Sequence, residues 1–264
     1  MDDVKIWTNM PASLTNYDQS VIDLNHDGIA DAVQISQNGF TYNPPMMAAP
    51  TVSAVGTNSA TVNGSVTNDG GTVVTGWGTA WDTNLNPTAH LATILGSANA
   101  PFNFSTNVAG FSPGQHYYVR GWASNVAGVA YSPNGEFYAE PVQATNITYV
   151  PVPGGFTISW TADVTSTGTV VLVKQGAPVD EAPEDGSNYV ATAFGSGTYL
   201  GVSNYIVYVG SGSNVTVNNL IYGSNYQVAA FAYAGHDNLT QYRTNSPPTC
   251  ILVWPPRGSV YKIR

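Results

Sequence analysis

The residues best suited to chemistry lie near the N-terminus, where oxygen donors recur at alternate positions. They occupy positions 1, 3, 5, 7 and 9 of a loop, the seventh through its backbone carbonyl: Asp23, Asn25, Asp27, Ile29 and Asp31. Gly28 stands at position 6, where such a loop needs a sharp bend. Because Ca²⁺ prefers hard oxygen ligands, the spacing predicts a calcium site formed by these five residues.

The residues around this loop favour a hairpin over a helix–loop–helix. An EF-hand would carry Glu at position 12, where this chain has Gln34. The flanks, residues 20–22 and 32–35, are typical of short strands. The segment resembles the Asp-x-Asn-x-Asp-Gly-x-x-Asp calcium hairpins of bacterial surface proteins and integrin-type repeats. The alternative is an Asn/Asp/Gly turn that holds no ion.

A second acidic group lies at Asp180, Glu181, Glu184 and Asp185. Clustered carboxylates can form a cation site, and a suitably spaced pair can cleave glycosidic bonds. Pro178 and Pro183 punctuate the segment, which favours a solvated acidic loop over either site.

Flat aromatic rings suggest a third kind of site. Trp77, Trp81 and Trp122 are candidate glycan contacts, because sugar faces stack on exposed rings. Strand alternation is expected to bury about half of such residues, so structural packing is the competing interpretation.

Other catalytic patterns are absent from the sequence, so we expect no enzyme. It has no His-Glu-x-x-His, no Gly-x-Ser-x-Gly, no phosphate-binding loop and no paired cysteines. Cys250 is the single cysteine, which rules out an internal disulfide and predicts an inert thiol.

Composition narrows the class of protein. Of 264 residues only 9% are charged, against roughly 25% in ordinary domains. The chain has seven Lys and Arg residues and 16 Asp and Glu residues, which gives a net charge of −9. A nucleic-acid partner would need a basic face, and a coiled coil would need far more charge. With 27 Gly and 17 Pro, the chain is expected to be a turn-rich β protein.

Targeting signals are also missing. The N-terminus begins with acids and lacks the basic start and apolar centre of a signal peptide. No stretch approaches the roughly 18 apolar residues of a membrane span. We therefore expect either release from a cytosol by another route or a mature form without its leader.

An internal repeat divides the chain. Residues 111–123 align with 220–232 at an offset of 109, and 60–64 align with 156–160 at an offset of 96. The difference predicts extra residues in the middle of the second copy. Repeats of about 100 residues with alternating segments and frequent turns are typical of β-sandwiches. The predicted boundaries are an N-terminal segment at 1–45, sandwiches at 50–140 and 141–248, and a tail at 249–264.

One unit of the repeat has a specific role. Gly114 and Gly223 each precede a Tyr by three residues, at Tyr117 and Tyr226. The glycine is expected to form the turn before a late strand, and the tyrosine hydroxyl to bond to the preceding backbone. Trp160 is predicted to fill the core of the second sandwich.

These features resemble a known family. The pattern resembles the late strands of bacterial fibronectin type III domains at Phe111, Pro113, Gly114, Tyr117, Arg120, Ala123, Asn125 and Gly128. Residues 141–248 resemble a longer variant of that family, through segments 177–179, 185–189, 194–197 and 204–208. The resemblance implies an all-β fold of two tandem fibronectin III/Ig-like β-sandwiches, preceded by a short β-hairpin.

Such domains serve as spacers and binding scaffolds, so the resemblance fixes no ligand. Three roles are open: a structural or decorating protein of a phage virion, a secreted bacterial adhesin or filament subunit, and a carbohydrate-binding accessory module. The expected partners are copies of the chain or other subunits of an assembly, with surface glycans as a further candidate. The expected location is a virion or the cell exterior.

Overall fold

The structure is a computed structural model and describes residues 42–88 and 91–255, together with the backbone of 19–22 and 32–35. Strands β1 (Gln19–Ile22) and β2 (Ala32–Ile35) pair antiparallel. Their pairing confirms the strands predicted to flank the N-terminal loop. The proposed calcium ligands lie outside the described residues: Asp23, Asn25, Asp27, Ile29 and Asp31.

The first sandwich contains nine strands: β3 (Met46–Met47), β4 (Thr51–Ser53), β5 (Ser59–Asn68), β6 (Val74–Asp82), β7 (Leu91–Ala98), β8 (Phe102–Ala109), β9 (His116–Asn125), β10 (Gly128–Tyr131) and β11 (Gly135–Tyr138). In one sheet β5 pairs with β3, β4 and β8. In the other the order is β10-β9-β6-β7, and β11 continues along β9.

The second sandwich repeats this plan with β12 (Thr145–Val152), β13 (Gly155–Thr161), β14 (Gly168–Gln175), β15 (Tyr199–Leu200), β16 (Asn204–Gly210), β17 (Asn214–Asn218), β18 (Asn225–Ala234), β19 (Gln241–Tyr242) and β20 (Thr249–Val253). One sheet has the order β12-β13-β17. The other has the order β15-β16-β14-β18-β19, and β20 also pairs with β18. A single 3-10 turn, Asp237–Leu239, interrupts the β structure of the described chain.

Alternating side chains build the two cores. In β9, buried and half-exposed residues alternate over all ten positions, as the sequence predicts for a strand with one inner face. Phe111 and Tyr117 pack in the first core, and Trp160 packs in the second with Tyr226, which confirms the prediction for Trp160.

Both copies contain the predicted tyrosine corner. The Tyr117 hydroxyl accepts a hydrogen bond from the Ser112 N–H at 2.9 Å, and the Tyr226 hydroxyl accepts one from Ile221 at 2.6 Å. Gly114 and Gly223 take φ values of +70° and +76°, which glycine adopts without strain. The fold is therefore the expected all-β pair of fibronectin III/Ig-like sandwiches.

Two further details refine the sequence interpretation. The connection between β14 and β16 spans residues 176–203, whereas the equivalent connection in the first sandwich spans 83–90, so the insertion lies where the offsets predict. Residues 249–253, assigned to the tail from sequence, form β20, because Leu252 is fully buried in the second core.

Candidate interaction surfaces

The three tryptophans named as candidate glycan contacts do not share a surface. Trp77 packs inward against Phe102, with ring centroids 4.9 Å apart. Trp81 packs against Phe111 at 6.4 Å, beside the first core. Of the three, Trp122 alone lies on the opposite, outer face of the β10-β9-β6-β7 sheet.

The outer face around Trp122 is built on small residues. The indole covers Gly76 and Gly78, where a β-carbon would approach it to 3.6 and 3.0 Å. Exposed apolar side chains extend the surface across neighbouring strands, with exposed fractions of 50% for Leu91, 82% for Leu95 and 54% for Val129. This sheet therefore presents an apolar face that no described segment covers.

The equivalent face of the second sandwich is covered by the chain itself. A second hydrophobic cluster forms on this sheet from Val170, Leu172, Ile206, Ala229, Phe231 and Tyr242. Val179, Ala182, Tyr189 and Leu200 of the insertion pack against it. The insertion thus covers the outer face of this sheet. As a result, seven of the eight residues of β14 are buried.

Two of the four acids of this insertion, Asp180 and Asp185, make structural contacts. Asp180 pairs with the buried Lys174 and accepts a hydrogen bond from Asn204 at 3.0 Å. The Lys174 hydrogen bond, followed by that of Asn204, holds the pKa of Asp180 below its usual value. Glu181 and Glu184 are exposed.

Asp185 is solvent-exposed along part of its side chain, yet one carboxylate oxygen accepts the Tyr242 N–H at 2.7 Å. Partial desolvation raises its pKa, and the Tyr242 hydrogen bond opposes this. Within the described ranges, no three His, Cys, Asp or Glu residues are grouped so that they could hold a metal ion. Asp180 and Asp185 therefore fix the insertion to the sheet beneath it.

Cys250 lies in β20, half-buried and unpaired by any disulfide. Burial raises the pKa of its thiol to about 11, so little thiolate exists at neutral pH. The structure agrees with the inert thiol expected from sequence.

The most organised polar arrangement lies where the two sandwiches meet. We call this arrangement the joint, and it comprises Gly114, Glu140, Gln143, Thr165 and Arg243. The Gln143 side chain donates to the Arg243 carbonyl at 2.7 Å and accepts the Ala232 N–H at 2.8 Å. These two hydrogen bonds to backbone groups fix the connecting segment to the second sandwich.

An ion pair closes the joint. The Arg243 Nη1 donates to the Glu140 Oε2 at 2.5 Å, and the Glu140 side chain is 9% exposed. Desolvation raises the pKa of Glu140, the Arg243 guanidinium lowers it, and the negative charge of Asp185 raises it further; the net direction is upward. The carboxylate is therefore costly to bury and depends on Arg243 for compensation.

Backbone contacts complete the joint. The Val142 N–H donates to the Thr165 hydroxyl at 2.9 Å. A β-carbon on Gly114 would lie 1.8 Å from the Thr165 carbonyl oxygen, so the turn of the first tyrosine corner touches the second sandwich directly. Tyr138 and His236 add a ring contact at 5.9 Å.

Sequence reasoning missed the joint. The one available signal is that Arg243 is among seven cations in the chain and lies outside the basic C-terminal tail. Its partner Glu140 is 103 residues away, and no local pattern connects them.

Comparisons with known proteins give weak structural likenesses only. No family model matches the sequence, and no curated protein matches it. A two-domain fibronectin type III segment of chicken tenascin is 13% identical, covers 78% of this chain and 98% of its own, and has a TM-score of 0.35. The FN1–FN3 domains of chicken CNTN1 are 13% identical, cover 86% and 70%, and score 0.39.

The sensor domain of the anti-sigma factor RsgI4 of Pseudobacteroides cellulosolvens is 16% identical, covers 39% of this chain and all of its own, and scores 0.32. The fold assignment depends on the strand order described above. Across the described residues, no helix has the length and apolarity to cross a membrane.

Proposed function

We propose that this chain is a non-catalytic structural or adhesion component of an extracellular assembly, with display on a phage virion as the specific role. The observation that carries the proposal is the joint. Two sandwiches held by an ion pair, a bridging glutamine and direct backbone contact form a spacer of fixed geometry. Fixed spacing is what a repeated unit of an assembly needs from each copy.

The few cations support a role without polyanionic partners. Each of the three cations in the described part of the chain is engaged internally. Arg120 lies over the Tyr131 ring and donates to a backbone carbonyl, Lys174 pairs with Asp180, and Arg243 pairs with Glu140. No described cation therefore remains to form a phosphate-binding face.

The proposal is tested on the native source of the chain. We expect the protein to copurify with a particle and to repeat on a symmetric lattice in electron micrographs. Recovery of the protein only as a free enzyme would contradict this role. Polysaccharide hydrolysis that is lost in Asp180→Ala or Glu184→Ala, with folding retained, would contradict the non-catalytic assignment.

Glycan contact is a second candidate, and the outward position of Trp122 is the observation that favours it. A glycan array separates the two roles. Binding that is lost in Trp122→Ala and kept in Trp77→Phe, whose ring is internal, would support a carbohydrate-binding module. An array without binding would leave the structural role as the better account.

A further inference from the structure

Strand β7 lies at the edge of its sheet. It pairs with β6 on one side and with no described strand on the other, so alternate N–H and C=O groups along its eight residues face outward. Its sequence, Leu-Ala-Thr-Ile-Leu-Gly-Ser-Ala, contains no charged residue and no proline. Exposed edges of this length normally carry such residues to prevent pairing with another chain.

The other edges of the first sandwich are interrupted or polar. The β10–β11 edge is interrupted at Pro133, and the β3–β4 edge at Pro50. Strand β8 is long, but it directs polar side chains outward, at Asn103, Ser105 and Asn107. The β7 edge, by contrast, borders the apolar outer face that contains Trp122.

The second sandwich shows how this edge is protected elsewhere in the same chain. Strand β16 occupies the position of β7, and β15 pairs with it. Two further backbone bonds seal it: the Ile206 N–H donates to Thr198 at 3.1 Å, and the Ile206 carbonyl accepts the Thr192 N–H at 2.9 Å. The first sandwich has no insertion to supply these bonds.

We propose that β7 pairs antiparallel with β7 of a second copy of this chain, about a two-fold axis at Thr93. In this register Thr93 faces its own counterpart, and Leu91 of one copy faces Leu95 of the other. Both leucines are at least half exposed in the single chain. Apolar pairs and Thr–Thr pairs on opposite strands both stabilise a sheet.

The strand is self-complementary, which is why a second copy is the expected occupant. A two-fold interface requires that one patch match itself, and residues 91–95 read Leu-Ala-Thr-Ile-Leu, with leucine at both ends and threonine at the centre. Pairing would join two five-stranded sheets into one and make their apolar faces continuous. The inference rests on the proposed function for its biological role, since self-association is one way to build a repeated lattice.

Cysteine cross-linking tests the register. In a Cys250→Ser background, Thr93→Cys should give disulfide dimers, because directly opposed residues lie about 4.5–5.5 Å apart and disulfides span roughly 4.4–6.8 Å. Leu95→Cys alone should give no disulfide dimer, because the two copies of residue 95 would be about 13 Å apart along the strand. An equimolar mixture of Leu91→Cys and Leu95→Cys should cross-link.

Sedimentation of the full chain at physiological salt tests the contact without cross-linking. Wild type should dimerise with increasing concentration, and Leu95→Lys should weaken dimerisation at least tenfold. The matched control is Asn103→Lys, which adds the same charge to β8 and should dimerise as wild type does. The inference would be overturned if wild type stayed monomeric or if the two lysine variants had equal effects. Equal cross-linking at positions 93 and 95 would overturn it too, because it would point to a different register or partner strand.

The two proposals fail separately. Incorporation of the protein into a particle without cross-linking at Thr93→Cys would contradict only the β7 interface. Cross-linking in the predicted register by a protein that never copurifies with a particle would contradict only the virion role.

Discussion

Arg243 donates a hydrogen bond to Glu140 across the boundary between two sandwiches, and the two residues are 103 positions apart in sequence. Burying the carboxylate is costly, and the net upward direction of its pKa shows that the guanidinium does not fully offset desolvation. Such a pair adds little to the overall free energy of unfolding. The pair favours the observed contact, because an orientation that kept Glu140 buried away from Arg243 would leave the carboxylate without a counter-charge.

Removing one partner should therefore cost more than removing both. Arg243→Met should lower the free energy of unfolding by roughly 1–3 kcal/mol, because Glu140 is left buried without a counter-charge. The double variant Glu140→Gln/Arg243→Met should recover part of this loss. Urea unfolding measures both, and a double variant less stable than Arg243→Met would contradict the interpretation.

The raised pKa of Glu140 predicts a pH dependence. A carboxyl whose folded pKa lies above its ordinary 4.5 favours the folded state most when protonated, so this contribution is present below pH 4.5 and is lost as pH rises through the folded pKa. Glu140→Gln removes the titration. The unfolding free energy of wild type minus that of the variant should therefore fall as pH rises above 4.5, and a rise would contradict the assigned direction.

The tyrosine corners should contribute measurably to stability. Tyr226→Phe removes the acceptor of the Ile221 N–H while keeping the buried ring, so we expect a loss of about 1–2 kcal/mol in unfolding free energy. Tyr199→Phe is the matched control, because it removes the same hydroxyl from a side chain that is exposed at the surface. Equal effects of the two substitutions would contradict a specific role for the corner.

The calcium site predicted for the N-terminal hairpin can be tested by metal removal. If Asp23, Asn25, Asp27, Ile29 and Asp31 bind Ca²⁺, EDTA should lower the melting temperature of the N-terminal segment, and excess Ca²⁺ should restore it. Asp27→Ala should abolish the response. Calorimetry with no shift in wild type would rule out the site.

The repeat in the sequence was sufficient to predict the fold, because strand alternation and the Gly-x-x-Tyr units are local patterns. Trp77 and Trp81 show where local patterns stop. Each alternates with small residues, and which set faces inward depends on Trp122, which lies on another strand and covers Gly76 and Gly78. Sequence spacing carries no record of that contact.

The insertion and the joint were harder to predict for the same reason. The acids at 180–185 suggest a solvated loop, yet Asp180 and Asp185 hold the segment over a hydrophobic cluster that forms only when β14, β16 and β18 are adjacent. The joint requires residues from both sandwiches. Its contacts are set by tertiary structure, which no single segment of the chain encodes.

The central claim is that the two sandwiches form one rigid spacer, and an inter-sandwich distance distribution tests it most directly. In a Cys250→Ser background, spin labels at Val126→Cys and Ile221→Cys report on the two sandwiches from exposed positions. Gly114→Ala should disturb the joint, because its β-carbon meets the Thr165 carbonyl oxygen, whereas Gly223→Ala imposes the same backbone strain with no atom within 4 Å.

We predict a single narrow distance in wild type and in Gly223→Ala, and a broad or shifted distribution in Gly114→Ala. A broad distribution in wild type would contradict the rigid spacer.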